Sequence, residues 1–126
     1  MSSATDKYPY KFVKDPGGGF VECLPEMRIA SEDDILELIA FCGENETDRL
    51  LVYETNLSDD FYDLRTKLAG SVLLKLSNYR IILAAVISAE RIGNGKFYEM
   101  VLETNRGREF RVFDHRADAV NWFSTL

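Results

Sequence analysis

The chain has 126 residues, a length that allows one domain with a substantial hydrophobic core. Its composition, 46% hydrophobic and 29% charged, argues against disordered, collagen-like and coiled-coil classes, and its net charge of −6 disfavours broad binding to nucleic acid or to an anionic membrane. No apolar run approaches the ~20 residues that span a bilayer, and the polar start lacks the apolar stretch of a signal peptide, so we expect a cytoplasmic protein.

Residues 1–7 are polar, and we expect a single domain over residues 8–126. Apolar and polar side chains alternate over residues 8–13 and again over residues 20–24, on either side of the glycine-rich segment 14–19. This pattern predicts an antiparallel hairpin whose glycines supply the positive φ angles of the turn. The three glycines lack the spacing of a phosphate-binding loop, so we interpret them as turn residues.

Two helices with apolar stripes are predicted in the middle of the chain. The first begins after the capping residue Ser31 and ends at Gly43. A strand over residues 49–54 and a polar loop or helical turn over residues 56–63 lie between the two helices. The second helix, which starts at about residue 60 or 65 and ends at Ser77, has the longer apolar stripe and is predicted to be the more heavily buried.

The second half of the chain continues the alternation of strands and helices. Residues 81–87 (IILAAVI) are continuously apolar, which predicts an interior strand covered on both faces. A loop over residues 88–95, a helix over residues 96–105, a strand over residues 109–113 and a last helix capped by Asp114 follow. The order is typical of an α/β domain with a mostly parallel sheet of about five strands, an N-terminal antiparallel hairpin and about four helices.

Few side chains point to catalysis. Cys23 and Cys42 lack the spacing of a metal or redox motif, so we expect reduced, buried thiols. His115 is the only histidine and lies at the start of the last helix, where we expect it to be half exposed. Tyr53 and Tyr62 are interpreted as packing at the edge of the sheet. We therefore expect no catalytic residue and no cofactor.

The element order resembles the STAS domains and the anti-anti-sigma factors, which implies a three-layer STAS-like fold. More narrowly, segments 50–86 and 103–123 are similar to a bacterial family known as domain of unknown function 4180. The specific parts of this resemblance are FYDL at 61–64, LSNYR at 76–80 and TNRGR at 104–108.

The resemblance to the anti-anti-sigma factors does not extend to their phosphorylation site. In those proteins a partner kinase modifies a serine at a strand–loop–helix junction, which the resemblance places on residues 61–65 of this chain. Asp63 fits the pattern, but Leu64 and Arg65 stand where the serines would be, and the nearby Ser58 and Thr66 lie outside the matching position. A kinase-controlled switch is therefore not expected.

The carboxyl ends of the parallel strands are the expected place for a ligand or partner, because loops and helix amino ends converge there. The candidate binding residues at this rim are Glu54, Asn56, Ser58, Asp59, Asp60, Asp63, Arg65 and Arg91. Ser88, Glu90, Asp114 and His115 lie at the same predicted rim. Clustered carboxylates can hold Mg²⁺ or Ca²⁺, but their spacing matches no metal motif and acidic residues at a helix start are explained by the helix dipole, so no metal is expected.

Charge is divided unevenly along the chain. Residues 1–63 carry 15 acidic and 5 basic side chains, whereas residues 64–126 carry 6 and 10. Arg106, Arg108, Arg111 and Arg116 could form a local basic face, although a solvated edge that pairs with the protein's own acidic half is the favoured interpretation.

We predict a non-enzymatic protein-interaction or regulatory module of the bacterial cytoplasm, with a protein partner. One alternative is a domain that binds a small anionic metabolite through Arg65 and Arg106 or Arg108. A less favoured alternative is a small metal-assisted enzyme that uses Asp60 and Asp63 as an acid–base pair. A homodimer is left open.

Overall fold

A computed structural model describes residues 8–126, and the expectation for residues 1–7 lies outside this range. The strands follow one another across a five-stranded sheet in chain order. They are β1 (Tyr10–Val13), β2 (Phe20–Cys23), β3 (Arg49–Tyr53), β4 (Ile82–Val86) and β5 (Phe110–Phe113). β1 is antiparallel to β2 and every other neighbouring pair is parallel, as the sequence predicted.

Helices cover both faces of the sheet. The helices of the described residues are α1 (Glu32–Glu44), α2 (Asp59–Tyr62), α3 (Leu68–Asn78), α4 (Ala89–Ile92), α5 (Lys96–Thr104) and α6 (Arg116–Ser124), with 3-10 turns at Glu54–Asn56 and Leu64–Thr66. The larger core lies between the sheet and α1, α3 and α5, whereas α6 packs alone on the opposite face. The predicted α/β fold is confirmed, while the closer kinship with STAS domains stays a prediction.

The two faces of the sheet are covered unequally. On the α6 face, Leu51 and Ala84 are buried beneath Trp122 and Phe123. A single helix of nine residues is too narrow to cover five strands. The part of this face at the carboxyl ends of β2 and β3, beside the amino end of β1, is therefore left open, and Tyr53 there is only half-buried.

The predicted interior strand is confirmed in β4, which lies between β3 and β5. Its central residues Leu83, Ala84 and Ala85 are buried, with side chains directed alternately to the two cores. Ile82 and Val86 are half-buried instead, because they lie on the α6 face at the ends of the strand. The expectation of complete burial on both faces thus holds only for the middle of the strand.

The hairpin forms as predicted, although β1 starts at Tyr10 and not at residue 8. Gly18 and Gly19 have positive φ angles of 125° and 99°. A side chain at Gly19 would place its Cβ 2.7 Å from the carbonyl oxygen of Val13, so this position requires glycine for space as well as for conformation.

Two helix boundaries differ from prediction. The second predicted helix is divided into α2, a 3-10 turn and α3, because Lys67 adopts a left-handed conformation with φ 67°. The last helix is not capped by Asp114. The amide of Asp118 donates to the carbonyl of His115, so His115 is the N-cap residue of α6.

The predicted loop over residues 88–95 contains the short helix α4. The hydroxyl of Ser88 accepts a hydrogen bond from the Arg91 amide at 3.2 Å, and Gly93, with φ 71°, ends the helix. The capping of α1 by Ser31 is confirmed, although this helix runs one residue past Gly43.

Cys23 and Cys42 are buried free thiols, as predicted. Burial raises the pKa of Cys42 to about 12 and raises that of Cys23 further. Across the described residues, no helix has the length and apolar character needed to cross a membrane.

Candidate functional site

A groove with a volume of about 600 Å³ lies past the carboxyl ends of β2, β3 and β4, on the open part of the α6 face. Its lining residues are Lys11, Glu22, Cys23, Leu24, Pro25, Tyr53, Glu54, Thr55, Asn56 and Val86. The volume is within the range of ~300–1,000 Å³ that is usual for small-molecule sites.

Glu22 and Tyr53 line the floor of the groove, and Arg116 of α6 supports Glu22 from outside the lining. The Nε and Nη2 atoms of Arg116 donate hydrogen bonds of 2.9 and 3.1 Å to the two carboxylate oxygens of Glu22. The hydroxyl of Tyr53 donates to the same carboxylate. The Glu22 side chain is only 9% exposed, so these partners replace the water that the carboxylate has lost.

Burial and hydrogen bonding determine the protonation states of Glu22 and Tyr53. Burial alone would raise the pKa of Glu22, but the hydrogen bonds from Arg116 and Tyr53 hold that pKa below its ordinary value. Burial and the neighbouring Glu22 carboxylate raise the pKa of Tyr53 to about 12. At neutral pH Glu22 is therefore a carboxylate and Tyr53 a neutral phenol.

Strand register explains how the chain assembles this floor. Glu22 follows Phe20 by two residues, so both side chains lie on the α6 face of β2. Lys11 is the antiparallel partner of Glu22, and Val86 is the parallel partner of Tyr53. Glu22 is level with Leu51, two residues before Tyr53, so Tyr53 and Val86 lie one row further towards the carboxyl ends on the same face. Two neighbouring rows of the sheet thus bring together residues from four strands.

Neither Glu22 nor Lys11 was among the predicted site residues, and Tyr53 was predicted to be a packing residue. One available signal was the charged Glu22 inside the apolar strand FVEC, because a buried carboxylate needs a partner. The expected pairing of the basic half with the acidic half is confirmed for Arg116. Its specific partner depends on the position of α6, which the local sequence does not reveal.

Asn56 has a structural role, because its hydrogen bonds support the walls of the groove. Its side chain is fully buried and donates to the carbonyls of Leu24 and Met27 at 2.9 and 3.0 Å. It also accepts from the Tyr53 amide at 2.8 Å. These bonds join the loop after β2 to the turn after β3, and so fix the two walls of the groove.

A second, polar cleft of about 490 Å³ adjoins the groove. It brings together several of the predicted rim residues, and its lining is Arg28, Glu54, Thr55, Leu57, Ser58, Asp59 and Arg91. Arg91 forms an ion pair of 2.9 Å with Asp59 and stacks 3.7 Å above the Tyr62 ring. Since Glu54 and Thr55 line both cavities, this turn is the wall between them.

The remaining predicted rim residues lie farther along the loop. Asp63 and Arg65 form a two-point contact in which Arg65 Nε and Nη2 each donate at 3.0 Å. The side-chain hydrogen bonds of Arg65 lower the pKa of Asp63. Asp60 is exposed and belongs to no ion pair formed among residues 8–126.

Arg106 and Arg108 lie at the end of the sheet opposite to the groove. Both residues precede β5, and Arg108 lines a separate cavity of about 340 Å³ with Ile81 and Phe110, at the amino ends of β4 and β5. Arg65 lies beyond the carboxyl end of β3. The structure therefore does not bring Arg65 together with Arg106 or Arg108, and one small anion cannot contact both sets.

The remaining predicted candidates are near the surface. Glu90, Asp114 and His115 are exposed, and the Glu54 carboxylate accepts a hydrogen bond from the Ser88 amide at 2.8 Å. In the part of the chain that is described, no group of three or more His, Cys, Asp and Glu side chains is arranged to hold a metal ion.

Together the sheet and its unequal helical layers define a small α/β domain with a groove at the carboxyl ends of its strands. The chain belongs to the family described as domain of unknown function 4180, whose profile matches residues 21–123. That segment contains Glu22, Tyr53 and Arg116. Comparison with curated proteins gives no match, and comparison with solved structures gives none either.

Proposed function

We propose that this chain is a non-enzymatic, regulatory binding domain of the bacterial cytoplasm that holds a small molecule in the groove. The observation that carries this proposal is the groove of about 600 Å³, whose lining includes Tyr53 and a Glu22 carboxylate that Tyr53 and Arg116 hold by hydrogen bonds. A rim without a cavity would favour a flat protein interface, whereas a concave site favours a small ligand.

The groove is also rigid before any ligand enters it. Asn56 fixes the two walls, and Arg116 fixes Glu22 in the floor. A preformed site loses little conformational entropy when it binds, so a modest number of contacts suffices for useful affinity.

The protonation states in the groove support a binding role over catalysis. A general acid or base works best with a pKa near the working pH. The pKa of Glu22 is lowered, that of Tyr53 is raised to about 12 and that of Cys23 is raised by burial. None of these three groups can exchange a proton easily at neutral pH.

The proposed regulation depends on the turn that separates the two cavities. Glu54 and Thr55 line the groove on one side and the polar cleft on the other. A ligand in the groove would contact this turn, and the turn leads directly into the exposed loop that carries Asp59, Asp60 and Asp63. We infer that ligand occupancy alters how this loop presents its charges.

A protein partner at the acidic loop is the second candidate function. The observation that favours it is the exposure of Asp59 and Asp60 at the edge of the domain, beside the ion-paired Arg91. Such a partner would carry a basic surface, and its association would weaken at high salt.

The groove can be tested with a fragment library and a variant that fills it. Thr55 is exposed and lines the groove, so Thr55→Trp should block the site without disturbing the core. Asn78→Trp is the matched control, since Asn78 is exposed at the end of α3. We expect ligand-detected NMR to find fragments that bind the wild type and Asn78→Trp but not Thr55→Trp. Fragments that bind all three proteins equally, or a library without binders, would overturn the proposal.

A further inference from the structure

We propose that the ligand of the groove is a small zwitterion, a molecule that carries one ammonium and one carboxylate group on an apolar body. This inference rests on the proposed function and specifies its ligand. It starts from two opposite charges in the lining, Lys11 and Glu54. Neither side chain belongs to an ion pair among residues 8–126.

The other charges of the groove are already matched. Glu22 accepts from Arg116 and from Tyr53, and its carboxylate is almost completely buried. A ligand cannot gain much from Glu22 without breaking these bonds. Lys11 lies opposite Glu22 in the neighbouring strand but forms no ion pair with it, so Lys11 and Glu54 are the charged lining residues without an ion pair among residues 8–126.

Strand spacing places these two charges at a distance that a small molecule can bridge. Lys11 lies in β1, and Glu54 directly follows β3. β2 lies between these strands, so their axes are roughly 10 Å apart. Lys11 is level with Leu51, three residues before Glu54, which adds roughly 10 Å along the strands. A bridging molecule must therefore carry its two charges at opposite ends. An ammonium near Glu54 and a carboxylate near Lys11 can belong to one molecule across this gap.

The Glu54 carboxylate is held in position for such a contact. One of its oxygens accepts the Ser88 amide at 2.8 Å, which orients the carboxylate at the wall of the groove. A fixed carboxylate can accept a further hydrogen bond from a ligand ammonium with little loss of side-chain entropy.

Part of the groove lining is apolar. Leu24, Pro25 and Val86 line the groove together with the buried thiol Cys23. These side chains favour a ligand with a hydrocarbon body over an inorganic ion.

A ligand with only one charge fits this lining less well. An organic anion would meet Lys11 but also the carboxylate of Glu54, and an organic cation would meet Glu54 but also Lys11. A molecule with both charges gains both attractions and avoids the repulsion.

The test compares three compounds that share one body. 6-Aminohexanoate carries both charges at opposite ends of its chain, hexylamine only the ammonium and hexanoate only the carboxylate. 8-Aminooctanoate, octylamine and octanoate form a second series with a longer body. By calorimetry or ligand-detected NMR we expect the zwitterion of at least one series to bind about tenfold more tightly than either singly charged analogue.

Two variants assign the charges to residues. Lys11→Met should reduce the affinity for the zwitterion and the carboxylate compound several-fold, and should leave the amine unaffected or bound more tightly. Glu54→Gln, which keeps an oxygen for the Ser88 amide, should reduce the affinity for the zwitterion and the amine. Lys14→Met and Glu90→Gln are the controls, since both residues are exposed and lie outside the groove lining.

The outcomes separate this inference from the proposed function. If fragments bind the groove but neither series shows a preference for the zwitterion, the ligand class is wrong and the binding function stands. If the preference survives in Lys11→Met and Glu54→Gln, the residue assignment is wrong. If Thr55→Trp binds every compound as the wild type does, both proposals fail.

Discussion

Arg116 at the start of α6 donates two hydrogen bonds to Glu22 in β2, a residue that precedes it by 94 positions. This contact fastens the helix that covers one face of the sheet to a strand on the far side of that face. It also fixes the floor of the groove, so the attachment of α6 and the shape of the candidate site depend on the same pair.

Removal of Arg116 should therefore destabilise the domain. Arg116→Met leaves the nearly buried Glu22 carboxylate without its cationic partner, and we expect the free energy of unfolding to fall by about 1–3 kcal/mol. Urea denaturation measures this loss. Arg106→Met, at an exposed position, is the control, and an equal effect of both substitutions would contradict the role assigned to the pair.

Glu22 should also make stability depend on pH. Its pKa is lower in the folded protein than the ordinary value of 4.5. Its contribution is therefore fully present above about pH 4.5 and is lost as the pH falls through the folded pKa. We expect the stability advantage of the wild type over Glu22→Gln to shrink as the pH is lowered from about 7 towards about 3. Glu26 is exposed, and the difference in stability between the wild type and Glu26→Gln should stay constant over the same pH range. A constant difference between the wild type and Glu22→Gln would refute the role given to Glu22.

Local patterns in the sequence predicted most of the fold. The apolar run at residues 81–87 predicted an interior strand, and Ser31 predicted the start of α1. These signals succeed because each depends on side chains that are close together along the chain. The break at Lys67 was missed, since a left-handed residue other than glycine has no clear sequence signature.

The candidate site was harder to predict because its parts are distant in sequence. The rim after β3, with Arg91 and the acidic loop, was predicted from the sequence. The meeting of Lys11, Glu22 and Arg116 was not, because it depends on the strand register and on the path of α6. An uneven helical layer is a property of the whole fold, and it is what leaves the groove open.

The interior position of β4 leads to a test of the core. Ala85→Asp would place an unpaired carboxylate at a fully buried position, so we expect a loss of about 3–5 kcal/mol in the free energy of unfolding. Ala89→Asp is the matched substitution at an exposed first residue of α4, where a carboxylate is tolerated. Chemical denaturation distinguishes the two, and similar midpoints would show that Ala85 is not enclosed as described.

The loop after β3 should not accept phosphate from a kinase of the anti-anti-sigma type. Leu64 and Arg65 occupy the matching positions, and the hydroxyl oxygen of Ser58 is buried. The hydroxyl of Thr66 lies 2.6 Å from the Asp60 carbonyl oxygen and is engaged there. Intact-mass analysis after incubation with such a kinase should show no added phosphate, with the kinase's own substrate as the positive control. Phosphate on Ser58 or Thr66 would overturn this expectation.

The last prediction concerns the acidic loop after β3. Asp59, Asp60 and Asp63 lie within five residues, and their mutual repulsion gives a purely structural loop little reason to keep all three. The structure compensates two of them internally, since Asp59 pairs with Arg91 and Asp63 with Arg65. Asp60 has no ion-pair partner among residues 8–126 and is the carboxylate most available to a basic partner surface.

Asp60→Asn should therefore leave the denaturation midpoint unchanged, because the side chain is exposed and its charge supports no ion pair in the described residues. Asp59→Asn should lower the midpoint slightly through the loss of the Arg91 contact. If the loop binds a basic partner, both substitutions and their combination should weaken capture of that partner in a salt-dependent way, and Asp33→Asn, an exposed first-turn residue of α1, should not. A double variant that unfolds more easily yet captures its partner as the wild type does would assign these carboxylates to helix capping and remove them from the binding surface.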